Sequence, residues 1–224
     1  MDSLEEIYLS EYTRKYTAIN LISFGYFQYK QSVVIKNIEY LRTNFKELPK
    51  IIHEEKFKKI ISNNLIDNVR ILILIENYLK AFLLSHNYLS HKISNKEQLK
   101  QLRNRQNKEP ISIEEIEKLQ LSSQGLIIPS KYAEQETIKI YSLLYKEKYK
   151  QLFKLPKLVI RLADRCRKAR NRLHFYNGDI NSISEDILEE YEFFDKFVSE
   201  VIIVNHNNLC KMLKAPKHHY LKEE

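Results

Sequence analysis

Glycine and proline are scarce in this chain, at 3 and 5 of 224 residues. Sheet proteins with many tight turns need both, so the scarcity argues against an all-β architecture. Abundant Leu, Ile, Lys and Glu point instead to an all-α chain. Cysteine is equally sparse: Cys166 and Cys210 supply neither a disulfide framework nor a metal set. Cys166 falls on an apolar stripe and reads as a small core residue. The most apolar stretch, Val69 to Leu84, is broken by Arg70, Glu76 and Lys80, and is too short and too charged to span a bilayer. The opening Met1-Asp2-Ser3-Leu4-Glu5-Glu6 is acidic and lacks the basic n-region of a signal peptide. A soluble, cytoplasmic chain with no membrane partner is expected. No internal repeat stands out. The His218-His219 pair has no partner ligands nearby, so neither metal nor cofactor is expected.

What the chain does have is charge in blocks. The net charge of +8 is concentrated between Lys146 and Arg172, where eleven basic residues face only Glu147 and Asp164. Residues 181–200 reverse the sign, with seven acids against Lys196. A local basic helix points to an anionic partner more strongly than a diffuse basic pI does. The plainer reading is a solvated helix face.

The length fits one domain spanning 1–224. Its core is expected at about 65–90 and 134–210, with an irregular insertion at about 91–133. Ser3 and Glu6 form a capping-box pattern, and helical spacing of Ile7, Tyr8, Tyr12, Tyr16 and Ile19 predicts a helix over about 3–45. Gly25 is the expected kink or break in it, and Pro49 the expected turn after it. A shorter helix fits Ile51 to Ile61, punctuated by Asn63-Asn64. Leu65 to Leu89 is apolar around most of its circumference, as a central bundle helix should be. Residues 91–135 are polar and carry Arg103-Asn104-Arg105, Pro110, Gly125 and Pro129. Further helices are predicted over 134–152, 157–177 and 184–210, with Pro156 near the first turn of the second and Asn177-Gly178 at its end.

The helix over 157–177 carries the most chemistry. Leu155, Val159, Leu162, Cys166, Ala169 and Leu173 form one apolar stripe at spacings of three and four. Arg167, Arg170, Asn171 and His174 gather on the strip beside it. Burial and like charge both lower the pKa of such a histidine, leaving it partly neutral near pH 7 and able to shuttle a proton. The guanidiniums beside it suit phosphate oxygens. Earlier in the chain, Glu76 and Lys80 form an i, i+4 pair. That pair is either a surface salt bridge or a carboxylate that faces and orients the arginine cluster.

These residues resemble the signature of the HEPN superfamily, small α-helical bundles found in toxins, abortive-infection proteins and CRISPR-linked ribonucleases. The family pattern is an Arg, often followed by Asn, then four to six residues and a His. Arg167 and His174 match with six residues between them. Arg170-Asn171 matches the Arg-Asn pair with three residues before His174. Phe175-Tyr176 is similar to the His-x-Tyr extension of HEPN toxins, and Glu76-x-x-Leu79-Lys80-Ala81 resembles an earlier helix of the bundle. The likeness covers roughly 65–89 and 158–204.

The resemblance implies a metal-independent endoribonuclease. His174 would move the proton of the 2′-OH or of the leaving 5′-oxygen. Arg170 or Arg167 would stabilise the charge developing on phosphorus. Asn171 would orient the ring or bind the phosphate, with Glu76 and Tyr176 in support. Arg161, Arg165, Lys168 and Arg172 would bind RNA. A homodimer through the motif helix would supply a second histidine. An antitoxin, or a regulatory RNA or protein, is a further expected partner. The basic helix and 15 tyrosines serve a non-catalytic module binding RNA or a protein equally well, since tyrosines stack on bases. A third reading makes His174 simply a packing residue at a helix end.

Overall fold

The computed structural model describes residues 10–51, 53–90, 110–114, 138–172 and 184–215. The chain is predominantly helical, and the described residues contain no strand beyond a single bridge pairing Tyr88 with Ser112. Among the described residues no helix is long and apolar enough to cross a membrane. The capping-box pattern at Ser3, the Arg103-Asn104-Arg105 loop and the Asn177-Gly178 cap lie outside the described residues.

Helix α1 (Glu11–Lys30) starts at Ser10, whose side chain accepts the Thr13 amide. It does not break at Gly25. There the backbones of two helices approach so closely that an added Cβ would stand 2.9 Å from the Leu74 Cα. Gly25 thus sets the contact distance rather than a kink. The break comes instead at Gln31-Ser32, before α2 (Val33–Lys36) and α3 (Ile38–Asn44). Asp67, wholly buried, causes it from a distance. Its Oδ2 accepts the Val34 amide at 2.8 Å, satisfying a donor that the start of α2 leaves open. Arg70 completes the clamp, reaching Asp67 Oδ1 at 3.0 Å and the Gln31 carbonyl at 2.9 Å. Pro49 lies within a short helix, α4 (Leu48–Ile51), rather than in a turn.

The central element is α5 (Glu55–Ser85), 31 residues without interruption and therefore about 46 Å long. It fuses what Asn63-Asn64 was expected to separate. Both asparagines are accommodated inside the helix: Asn63 Nδ2 donates to the Lys59 carbonyl, and Asn64 accepts from Asn68 Nδ2 through its own carbonyl. Such local bonds offer a turn an alternative but do not impose one. α1 lies along α5 in the most extensive helix pairing of the fold, and α8 (Lys157–Arg172) packs on α5 next.

Where a single helix was expected from 134 to 152, the described chain has α6 (Ile140–Tyr145) and α7 (Glu147–Phe153), separated by extended backbone at Lys146. A continuous helix running on from the buried Leu143 and Leu144 would turn Glu147 and Lys148 inward. The break re-phases the chain so that Tyr149 enters the core instead. The last stretch, α9 (Glu185–Phe197) and α10 (Ile203–Leu213), is joined by a π-helical turn at Val198–Ile202. Its buried Val198, Ile202, His206 and Cys210 recur every four residues. In an α-helix that spacing drifts by about 40° per step. The wider π turn absorbs part of the drift. α9 packs on α8 and α10 returns to α1, closing a bundle around α5.

Candidate functional site

α8 follows Pro156, whose carbonyl accepts the Ile160 amide at 3.1 Å. Val159, Leu162, Cys166 and Ala169 of the expected stripe are buried, joined by Ala163, while Leu155 is partly buried. Burial pushes the Cys166 thiol far above its ordinary range. The thiol donates to Asn68 Oδ1 at 3.2 Å, and the Tyr191 hydroxyl donates to the same oxygen. Asn68 therefore ties α5, α8 and α9 together, and Cys166 is a core residue with no nucleophilic character.

Five basic residues of α8 are distributed among three carboxylates. Arg161 and Arg165 turn to Glu190 of α9, which is wholly buried. Arg165 donates from Nε to Glu190 Oε2 at 3.1 Å, and its Nη2 forms an ion pair with the same oxygen at 3.0 Å. Arg161 Nε stands 3.0 Å from Oε1 without hydrogen-bond geometry, an ion pair only. These two arginines, expected to face RNA, are thus partly neutralised from behind.

Asp164 takes the next pair. Arg167 reaches its Oδ1 from Nε at 3.1 Å and Nη2 at 2.7 Å, while Lys168 Nζ reaches Oδ2 at 2.8 Å. Tyr145 hydrogen-bonds the same carboxylate. Burial opposes ionisation of Asp164, but the bonds from Lys168, Arg167 and Tyr145 outweigh it and hold its carboxyl below the usual range. The Arg167 guanidinium also lies over the Tyr141 ring, 5.5 Å from its centroid.

Arg170 faces the opposite neighbour. Its Nη1 lies 3.8 Å from Glu76 Oε2 on α5, and Glu76 Oε1 accepts from Lys80 Nζ at 2.7 Å. Glu76 is therefore both partner of Lys80 and neighbour of the arginine cluster. At 3.8 Å with Arg170 42% exposed, the contact orients more than it stabilises, by well under about 1 kcal/mol. Among the described residues Arg170 makes no hydrogen bond, whereas Arg167 spends two nitrogens on Asp164. Asn171 is exposed. The side chain of Arg172, and all of His174 and Tyr176, lie outside the described residues.

Sequence reasoning passed over Tyr141, Tyr145 and the anchoring role of Asp164. The last was legible, since Asp164 stands three and four residues before Arg167 and Lys168. Glu190 had only a general signal, the acidic block at 181–200. A cleft of about 200 Å³, lined by Leu143, Leu144, Lys150, Phe153, Leu155 and Ile160, involves none of the candidate residues. Among the described residues no group of three or more His, Cys, Asp or Glu side chains converges to hold a metal ion. No family model matches the chain, nor does any curated protein or solved structure.

Proposed function

We propose that the chain is a metal-independent endoribonuclease of HEPN type, acting as a toxin or abortive-infection effector against phage. The observation that carries this reading is the pairing of α5 with α8. It sets Glu76 beside Arg170, four residues before His174 in the sequence, with Arg170 making no hydrogen bond among the described residues and Arg167 braced next to it. An arginine oriented by a carboxylate, yet free to bond, suits a phosphate whose charge grows in the transition state. His174 takes the 2′-OH proton or protonates the leaving 5′-oxygen, and the products are a 2′,3′-cyclic phosphate and a 5′-OH. One histidine cannot supply both acid and base at once, so a homodimer that apposes two copies of α8 completes the site.

The second reading is a module that binds RNA or a protein without cutting. What favours it is that Arg161 and Arg165 hold α8 to α9 through Glu190, while Arg167 is anchored by Asp164 within α8. A gel assay decides between them. The nuclease reading expects cleavage that survives EDTA and leaves cyclic phosphate ends. Binding without cleavage by the folded chain supports the module.

A further inference from the structure

Tyr141 is 57% exposed although it sits between the buried Ile140 and Leu143 in a short helix. Its ring is nevertheless held. The Arg167 guanidinium lies over it at 5.5 Å, and the Tyr145 ring stands 5.0 Å away at a tilt of 39°. Both neighbours are fixed by Asp164, which also holds Lys168, a side chain 64% exposed. One carboxylate thus organises an outward-facing aromatic, a cation on that aromatic and a second cation reaching solvent.

Lys139, two residues before Tyr141, and Lys168, which shares Asp164 with Arg167, are both exposed. Such a charged setting does not suit the core of a protein interface, which is depleted of charge. It does suit a ligand that alternates flat apolar rings with anions. We infer that Tyr141 is a stacking shelf for one unpaired nucleobase of single-stranded RNA, with Arg167 and Lys168 holding the adjacent phosphate. This rests on RNA being the substrate, as proposed above, and adds a base-binding subsite beside the reacting phosphate. Arg167 then positions the strand, and Arg170 is left for the chemistry.

The chain has no tryptophan, so Tyr141→Trp installs a sole indole at the shelf. The probes are a short 2′-O-methyl oligouridylate, which lacks the attacking hydroxyl and stays intact, and an abasic strand of equal length and charge. The base-bearing strand should quench the indole and the abasic strand should not. Tyr141→Ala should weaken binding of the oligouridylate roughly tenfold or more. The slope of log affinity against log salt should not change, because no phosphate contact is lost. Tyr141→Phe should bind like the natural chain, since stacking needs the ring and not the hydroxyl.

Several results overturn the shelf. Equal quenching by both strands does so, as does a Tyr141→Ala chain that binds as tightly as the natural one. If Tyr141→Ala changes the oligomeric state and leaves affinity alone, the ring belongs to an interface between copies. A natural chain that cleaves RNA while these tests fail loses the shelf and keeps the nuclease. A natural chain that neither binds nor cleaves RNA loses both. Should Tyr141→Ala fail to fold, the indole and Tyr141→Phe measurements decide alone.

Discussion

Two arginines one turn apart in α8 have been given different company, and that difference makes separable predictions. Arg167 is bonded to Asp164 and lies on Tyr141; among the described residues Arg170 is paired with Glu76 alone, at 3.8 Å. Under the proposed chemistry His174→Ala lowers cleavage by about 10²–10⁴-fold, with circular dichroism unchanged. Arg170→Ala should cut the rate strongly, and Arg170→Lys should restore little of it, because an ammonium lacks the guanidinium fork. Arg167→Ala should mainly weaken RNA binding, most at low salt, and flatten its salt dependence. A dead Arg167→Ala beside an active Arg170→Ala would reverse the two roles. Asp164 adds a prediction in pH. Its carboxyl is held below the ordinary value of 3.8, so its stabilising contribution is present above that value and is lost as pH falls through the depressed one. Asp164→Asn should therefore melt below the natural chain at neutral pH, and the gap should close under strongly acidic conditions.

At the scale of elements, helices here are placed by a few contacts that forbid alternatives. Gly25 lets α1 and α5 touch backbone to backbone. Gly25→Val gains helix propensity of less than about 1 kcal/mol. It meets a main chain that cannot step aside, and overpacking costs about 1–3 kcal/mol or more. The clash wins. A fall in Tm of about 2–8 °C is expected, read by thermal denaturation. Glu190 does for α8 and α9 what Gly25 does for α1 and α5, through charge rather than fit. Glu190→Ala strands Arg165, and the lost charge-assisted bonds cost about 1.5–3 kcal/mol in chemical denaturation. Arg161→Ala should cost far less, since that residue is 56% exposed and lacks hydrogen-bond geometry.

The whole molecule is a bundle closed around one 31-residue helix, with the proposed catalytic end of α8 beside α5. Because each copy offers one motif histidine, the nuclease reading requires association. Sedimentation should give a dimer, and mixing His174→Ala with an excess of the natural chain should form mixed dimers of reduced activity. A monomer cleaving at full rate would show that the site is not shared.

The sequence by itself determined the helical class, the buried stripe of α8 from Val159 to Ala169, the apolar character of α5 and the opposite charges of α8 and α9. These are short-range patterns, set by periodicity and composition along one element. It misplaced the interruptions. Gly25 and Asn63-Asn64 look like breakers, yet the helices run through them, while the break at Gln31-Ser32 is made by Asp67, a residue far along the chain. The same holds for the candidate site. Arg167, Arg170 and Glu76 could be picked out singly, but that Arg170 meets Glu76 and that Arg161 and Arg165 share Glu190 was decided only when α5 and α9 packed against α8. Long-range pairing leaves no period in the sequence, and that is why only the tertiary structure could assign it.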